Sequence, residues 1–235
     1  MRAFVLAGGR GSRLHPFTTV IPKPLVPVGD MPILEILLRQ MKARGFDRVT
    51  ISVGYLSSLI ESYCGDGSRW GLNVDYVRED EPLGTAGALA LLTDLEDDRI
   101  LVTNGDILTD LDLGLVTRDH DPAEGATICA NRRVVQVEFG VLHADAGGCL
   151  QRYEEKPTLS YEVSMGVNVI SAWAIERYVS KGERLDLPDL MRAIAADGRV
   201  VRIRSTDSYW LDMGRMADLE TATEVFSADP SRFLP

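Results

Sequence analysis

The sequence predicts an α/β fold: a single Rossmann-like three-layer domain with a mostly parallel mixed sheet. Two observations point there. Short apolar runs at 3–7, 49–53, 74–77 and 100–103 have the unbroken character of strands covered on both faces. Between them lie segments with apolar residues at helical spacing, such as Ile33, Leu34, Leu37, Leu38 and Met41. Strands that alternate with helices in this way imply a parallel sheet. The bulk agrees, since 235 residues at 45% hydrophobic and 26% charged content can close one full core.

Taken in order, the strand at 3–7 leads into a glycine-rich turn. The helix that begins after Pro32 is closed by Gly45, a residue suited to the left-handed C-cap. A strand at 49–53, a short helix around Leu59 and Ile60, the loop Gly65-Asp66-Gly67 and a strand at 74–77 follow. Strand 100–103 runs straight into Asn104-Gly105-Asp106, ahead of a helix and loop at 112–121 and a strand at 126–130. Glu138-Phe139-Gly140-Val141-Leu142 reads as a strand, and Asp145-Ala146-Gly147-Gly148 as the turn of a hairpin that returns through 150–153. A strand at 163–170, helices near 173–181 and 188–196, a strand at 200–204 and a helix at 215–226 complete the pattern. No hexapeptide repeat is read, so no C-terminal β-helix is expected.

Charge and composition narrow the function. A net charge of −10 argues against nucleic acid or an anionic membrane as partner. Cys64, Cys129 and Cys149 share no metal spacing and read as buried or free thiols in a reducing compartment. No signal peptide is read and no apolar run nears membrane length, so the expected location is the cytoplasm. Only four of the 25 basic residues are lysines: Lys23, Lys42, Lys156 and Lys181. Two of them fall in the motifs described next, which suggests positions where a guanidinium cannot replace an ammonium.

Gly8-Gly9-Arg10-Gly11-Ser12-Arg13 follows the first strand. Glycine lets backbone pass close to a ligand and adopt positive φ, so that successive N–H groups converge on an anion. Arg10 and Arg13 add forked donors for phosphate oxygens. Lys23 stands between Pro22 and Pro24, a point charge on stiff backbone. Without Arg13 and Lys23, the glycines would equally describe a tight strand-to-helix turn. The dinucleotide fingerprint lacks its last glycine, and no Gly-Lys-Ser/Thr supplies a Walker loop.

Ligands of such a sheet lie over the carboxyl ends of its strands, which directs attention to the loop before Gly87 and to Asp106, and a third stretch follows later. Glu81-Pro82-Leu83-Gly84-Thr85-Ala86-Gly87 leaves room for a flat base against backbone, or is a plain N-capped helix start. Asp106 leaves a strand end, where Mg²⁺ would find a carboxylate and where an aspartate is as often a helix cap. Asp110 and Asp112 are assigned to capping and surface. Glu155-Lys156-Pro157 puts a lysine before proline, which biases its backbone to an extended form, although such pairs also decorate ordinary surfaces.

Leu6-Ala7-Gly8-Gly9-x-Gly11-x-Arg13-Leu14-x-Pro16, followed by Pro22-Lys23-Pro24-Leu25, resembles the sugar-1-phosphate nucleotidylyltransferases, or NDP-sugar pyrophosphorylases. The resemblance recurs along the whole chain. It implies a nucleotide-diphospho-sugar transferase fold over residues 1–235, with about 1–125 binding nucleotide and about 126–235 binding sugar phosphate. The residues it assigns to the nucleotide are Leu6, Gly8, Gly9, Gly11, Ser12, Arg13, Lys23, Glu81, Gly84, Thr85 and Gly87, with Arg13, Lys23 and Asp106 catalytic. Gly140, Glu155, Lys156 and Asn168 would bind the sugar phosphate, although relatives often carry an aromatic residue where Asn168 stands. Asp212, within Tyr209-Trp210-Leu211-Asp212-Met213-Gly214, resembles the family's second metal-binding aspartate, so Asp106 and Asp212 would share Mg²⁺.

The 81–87 loop most resembles the mannose-1-phosphate guanylyltransferase branch. Glu81 would then accept from guanine N1 and N2, unless it is only a solvated loop charge. The implied reaction is nucleotidyl transfer from an NTP, GTP favoured, to mannose 1-phosphate or D-glycero-D-manno-heptose 1-phosphate. The alternatives are uridylyl or thymidylyl transfer to a glucose, hexosamine or muramate 1-phosphate, and a non-catalytic regulatory homologue that binds nucleotide sugar. The retained Arg13, Lys23, Asp106 and Asp212 argue against the silent homologue. NTP and sugar 1-phosphate are the expected partners, with a homodimer as one expected assembly.

Overall fold

The structure is a computed structural model that describes residues 1–79 and 81–234; Asp80, in the loop read as base-contacting, lies outside the described residues. Its strands are β1 (Arg2–Leu6), β2 (Pro27–Val28), β3 (Met31–Pro32), β4 (Arg48–Val53), β5 (Asn73–Arg78), β6 (Arg99–Asn104) and β7 (Ile107–Thr109). They continue with β8 (Ala126–Gln136), β9 (Val141–Ala144), β10 (Leu150–Glu154), β11 (Thr158–Ser171), β12 (Val201–Thr206) and β13 (Trp210–Asp212). The helices are α1 (Ile33–Ala43), α2 (Ser57–Cys64), α3 (Gly84–Gly87), α4 (Leu113–Asp119), α5 (Ala172–Tyr178), α6 (Leu187–Ala196) and α7 (Met216–Ala228).

A seven-stranded sheet runs in the order β12-β8-β11-β6-β1-β4-β5. β1 pairs in parallel with β4 and β6, β4 with β5, and β8 with β12. β11 alone runs against its neighbours, β6 and β8. The mixed, mostly parallel sheet read from the sequence is the observed one.

Central position explains the apolar run of β1. Ala3, Phe4 and Val5 are wholly buried, because alternate side chains enter opposite cores. Ala3 and Val5 pack under α1, α2 and α4, through Leu34, Leu37, Leu38, Ile60 and Leu113. Phe4 packs on the other face with Ala88, Ile175, Leu190 and Ile194, beneath α5 and α6. These are the three layers. α1 ends where expected, with Gly45 at φ +89° beyond its C-cap Arg44.

Two strands outgrow the expected bounds. β8 and β11 run on past the layers and pair from Asn131↔Val163 to Gln136↔Thr158. They satisfy each other's backbone groups, while Val134, Val135 and Tyr161 stay exposed. The strand expected from Glu138 starts only at Val141. Among the described residues, no helix is long and apolar enough to cross a membrane.

Candidate active site

β1, β5 and β6 all deliver their carboxyl ends to one cleft of about 710 Å³. Leu6, Gly8 and Gly9 line it after β1, and Asn104 and Asp106 after β6. Gly9 has open space where a β-carbon would stand. Of the glycines in this turn, only Gly11 adopts positive φ (+60°), where it turns the chain into the short 3₁₀ helix Ser12–Leu14. Gly11 also packs on the stem of Lys23: a β-carbon there would lie 3.0 Å from Lys23 Cβ. Ser12 and Arg13 are exposed beyond it. The Arg10 guanidinium stands 5.9 Å over the Tyr55 ring, at the cleft wall.

Lys23 opens a further 3₁₀ turn, Lys23–Leu25, between buried prolines. Its ammonium contacts Asp106 Oδ2 and lies 3.8 Å from Asp212 Oδ1. The two acids meet because β7 pairs antiparallel with β13, in a register that sets Asp212 opposite Ile107. Met213 N–H donates to the Asp106 carbonyl at 3.1 Å and locks that register. Gly214 lies against both Arg13 Nη1 and Asp212 Oδ2, so Arg13 faces the same acid. Burial pushes the Asp212 carboxyl above its ordinary range, and the Asp106 charge pushes the same way against Lys23 and Arg13.

At the far wall the carboxylate in the cleft is Glu79, not Glu81. Glu79 Oε1 accepts from Ser52 Oγ at 2.7 Å, and Oε2 accepts from Leu83 N–H at 2.8 Å. Glu81 is exposed and Glu79 lines the cleft. Sequence reasoning missed Glu79, although its place just beyond the end of β5 was the available signal. Gly84 and Thr85 also line the cleft, while Gly87 packs against the Glu183 carbonyl.

None of the residues read for the sugar phosphate lines that cleft. Gly140 lies against the Tyr153 ring, and Glu155 accepts from the Tyr153 hydroxyl at 3.2 Å. Asn168 is buried in β11, opposite Val102 and Ile128. Lys156 is exposed with φ +45°. That is left-handed backbone, not the extended form its proline neighbour favours, because the chain bends in the three residues between β10 and β11. No hydrogen bond or ion pair among the described residues joins this group to Lys23 or the two acids.

Residues 2–228 match the family described as Nucleotidyl transferase. The chain belongs to that family. Among relatives, the UTP–glucose-1-phosphate uridylyltransferase of a Synechocystis strain is 32% identical over 238 residues, covering 93% of this chain and 61% of the relative. The mannose-1-phosphate guanylyltransferase of Mycobacterium tuberculosis is 33% identical over 224 residues, covering 92% and 62%. The chain thus spans about three-fifths of the length of these relatives. The crystal structure of HddC from Yersinia pseudotuberculosis complexed with GMP-PN aligns with a TM-score of 0.71 at 26% identity, over 96% of this chain and 99% of that one.

For this family member the donor set suits a hard divalent cation. Asp106 and Asp212 both reach toward the Lys23 ammonium, and the Asp106 charge adds to burial in raising the Asp212 carboxyl. Mg²⁺ takes one or two carboxylates and completes its shell with phosphate oxygens and water. Among the described residues no third Asp, Glu, His or Cys joins the pair, which leaves that room.

Proposed function

We propose that the chain catalyses NTP + sugar 1-phosphate → NDP-sugar + pyrophosphate, with GTP and a manno-configured sugar 1-phosphate as favoured substrates. The observation that carries this reading is Lys23 meeting Asp106 and Asp212 beside the glycine turn. An oxygen of the sugar phosphate attacks the α-phosphorus in line. The new P–O bond forms as the bond to the bridging oxygen breaks, and pyrophosphate leaves with that electron pair. Both nucleophile and leaving group are anionic at neutral pH, so no protein base is needed. The work is positioning and charge neutralisation.

In this reading the backbone at 8–12 and the Arg13 guanidinium hold the β- and γ-phosphates. Lys23 stabilises charge at the α-phosphate, Glu155 accepts from two sugar hydroxyls, and Lys156 orients the sugar phosphate. Asp106 and Asp212 would hold Mg²⁺, which would supply further neutralisation of phosphate charge.

The preference for guanine rests on Glu79. Its carboxylate offers only acceptors, which suit the adjacent N1–H and N2–H₂ of guanine. Uracil and thymine present one N–H flanked by two carbonyls that a carboxylate repels. A second reading, uridylyl transfer to glucose 1-phosphate, is favoured by the 32% identical Synechocystis relative. A panel of four NTPs against mannose, manno-heptose, glucose and hexosamine 1-phosphates, read by pyrophosphate release, decides between them. GTP with a manno sugar should turn over fastest. A UTP or dTTP optimum rejects the guanylyl assignment, and no release with any pair rejects transfer itself.

A further inference from the structure

The loop that carries Gly84 and Thr85 is held partly from outside itself. A segment 101 residues away, Glu183 to Leu187, is tied to it by crossed caps. Asp186 is the N-cap residue of α6, yet its side chain makes no capping bond to that helix. Instead Asp186 Oδ1 accepts from Thr85 N–H at 3.0 Å. In exchange, Thr85 Oγ1 accepts from Leu187 N–H at 2.7 Å, the first turn of α6. Each helix start is therefore capped by the other's residue.

Backbone bonds reinforce the exchange. The Leu185 carbonyl accepts from Ala86 and Gly87 N–H at 2.8 and 3.0 Å, and Leu185 N–H donates to the Leu83 carbonyl at 2.9 Å. A β-carbon at Gly84 would stand 2.6 Å from the Leu185 oxygen, and one at Gly87 would stand 2.6 Å from the Glu183 oxygen. These glycines are small because the segment passes over them, a reason different from room for a base. Leu83 is the link onward, since its N–H is the donor that fixes Glu79 Oε2.

Resting on the nucleotide reading above, we infer that Asp186 is a positioning residue for the nucleotide, acting through Thr85 and Leu83 on the wall that carries Glu79. Its side chain is 41% exposed, so substitutions leave the packed layers intact. The test is equilibrium binding of GTP and UTP, by calorimetry without sugar phosphate, to wild type, Asp186→Ala and Asp186→Asn, with thermal midpoints measured alongside. Asp186→Ala removes a charge-assisted bond and should weaken GTP about tenfold, narrowing the gap to UTP. Asp186→Asn keeps an acceptor and should bind GTP within about twofold of wild type. Binding by Asp186→Ala within twofold of wild type overturns the inference. So does a loss matched by weaker sugar 1-phosphate binding and a lower midpoint, because that marks general loosening. A wild type that binds GTP but releases no pyrophosphate strikes the transfer reaction and leaves this inference standing. One that binds no nucleotide overturns both.

Discussion

Lys23 and Glu79 illustrate how single side chains acquire a role from what fixes them. Lys23 is held by buried prolines on either side and keeps only 11% of its side chain exposed. Its ammonium therefore has one place to go. Glu79 is pinned through both carboxylate oxygens, by Ser52 and Leu83, and lines the cleft. Glu79→Gln keeps the size and brings an N–H₂ donor to the wall. The expected outcome is a GTP-over-UTP preference in kcat/KM reduced by roughly 10-fold to 100-fold, about one to two hydrogen bonds' worth of discrimination. Competition kinetics with the two nucleotides measures it, and an unchanged ratio would remove Glu79 from base selection. The sequence pointed to this loop through Glu81, which is exposed, whereas Glu79 is the acid that lines the cleft. Glu79 and Glu81 are two positions apart, and only the path of the chain beyond β5 decides which turns inward.

Elements meet in ways of unequal legibility. The apolar runs that became β1, β4 and β6 were readable because a strand buried on both faces has no polar positions to confuse the pattern. The pairing of β7 with β13 was not, since a register between three-residue strands a hundred positions apart leaves no periodicity. The resemblance alone joined Asp106 to Asp212. His120 marks another junction that periodicity does not reveal. It caps the end of α4, and its ring bonds Thr127 of β8 at 2.8 Å and Ser171 at the end of β11 at 2.9 Å. Burial, helped by the Arg99 charge, holds its pKa below the ordinary imidazole value. The unfolded chain takes up a proton near pH 6.5 that the folded chain resists. Stability is therefore complete above that pH and is lost as pH falls below it. Melting curves from pH 7.5 to 5.5 should show a falling midpoint, about 2–4 °C for each kcal/mol in a chain of this size. His120→Gln should flatten that dependence, and an equally steep fall in the variant would place its source elsewhere.

The molecule as a whole carries a net charge of −10, yet Arg10 and Lys23 line its cleft beside the glycine turn and Arg13 stands next to Asp212 and Gly214. An anionic substrate is thus drawn to one local field on an otherwise repelling surface. The same fold brings the ends of β1, β5 and β6 to one cleft lined by the glycine turn, Glu79 and Asp106, and the pairing of β7 with β13 sets Asp212 beside Asp106 although these residues are scattered through the chain. That the two acids act as one cation site is the claim on which the reaction depends. The most direct measurement is pyrophosphate release against Mg²⁺ concentration for wild type, Asp106→Asn and Asp212→Asn. Each substitution should cut turnover by roughly 10²-fold or more and raise the half-saturating Mg²⁺ by at least about tenfold. Near-normal turnover with unchanged Mg²⁺ dependence in either variant would contradict the account.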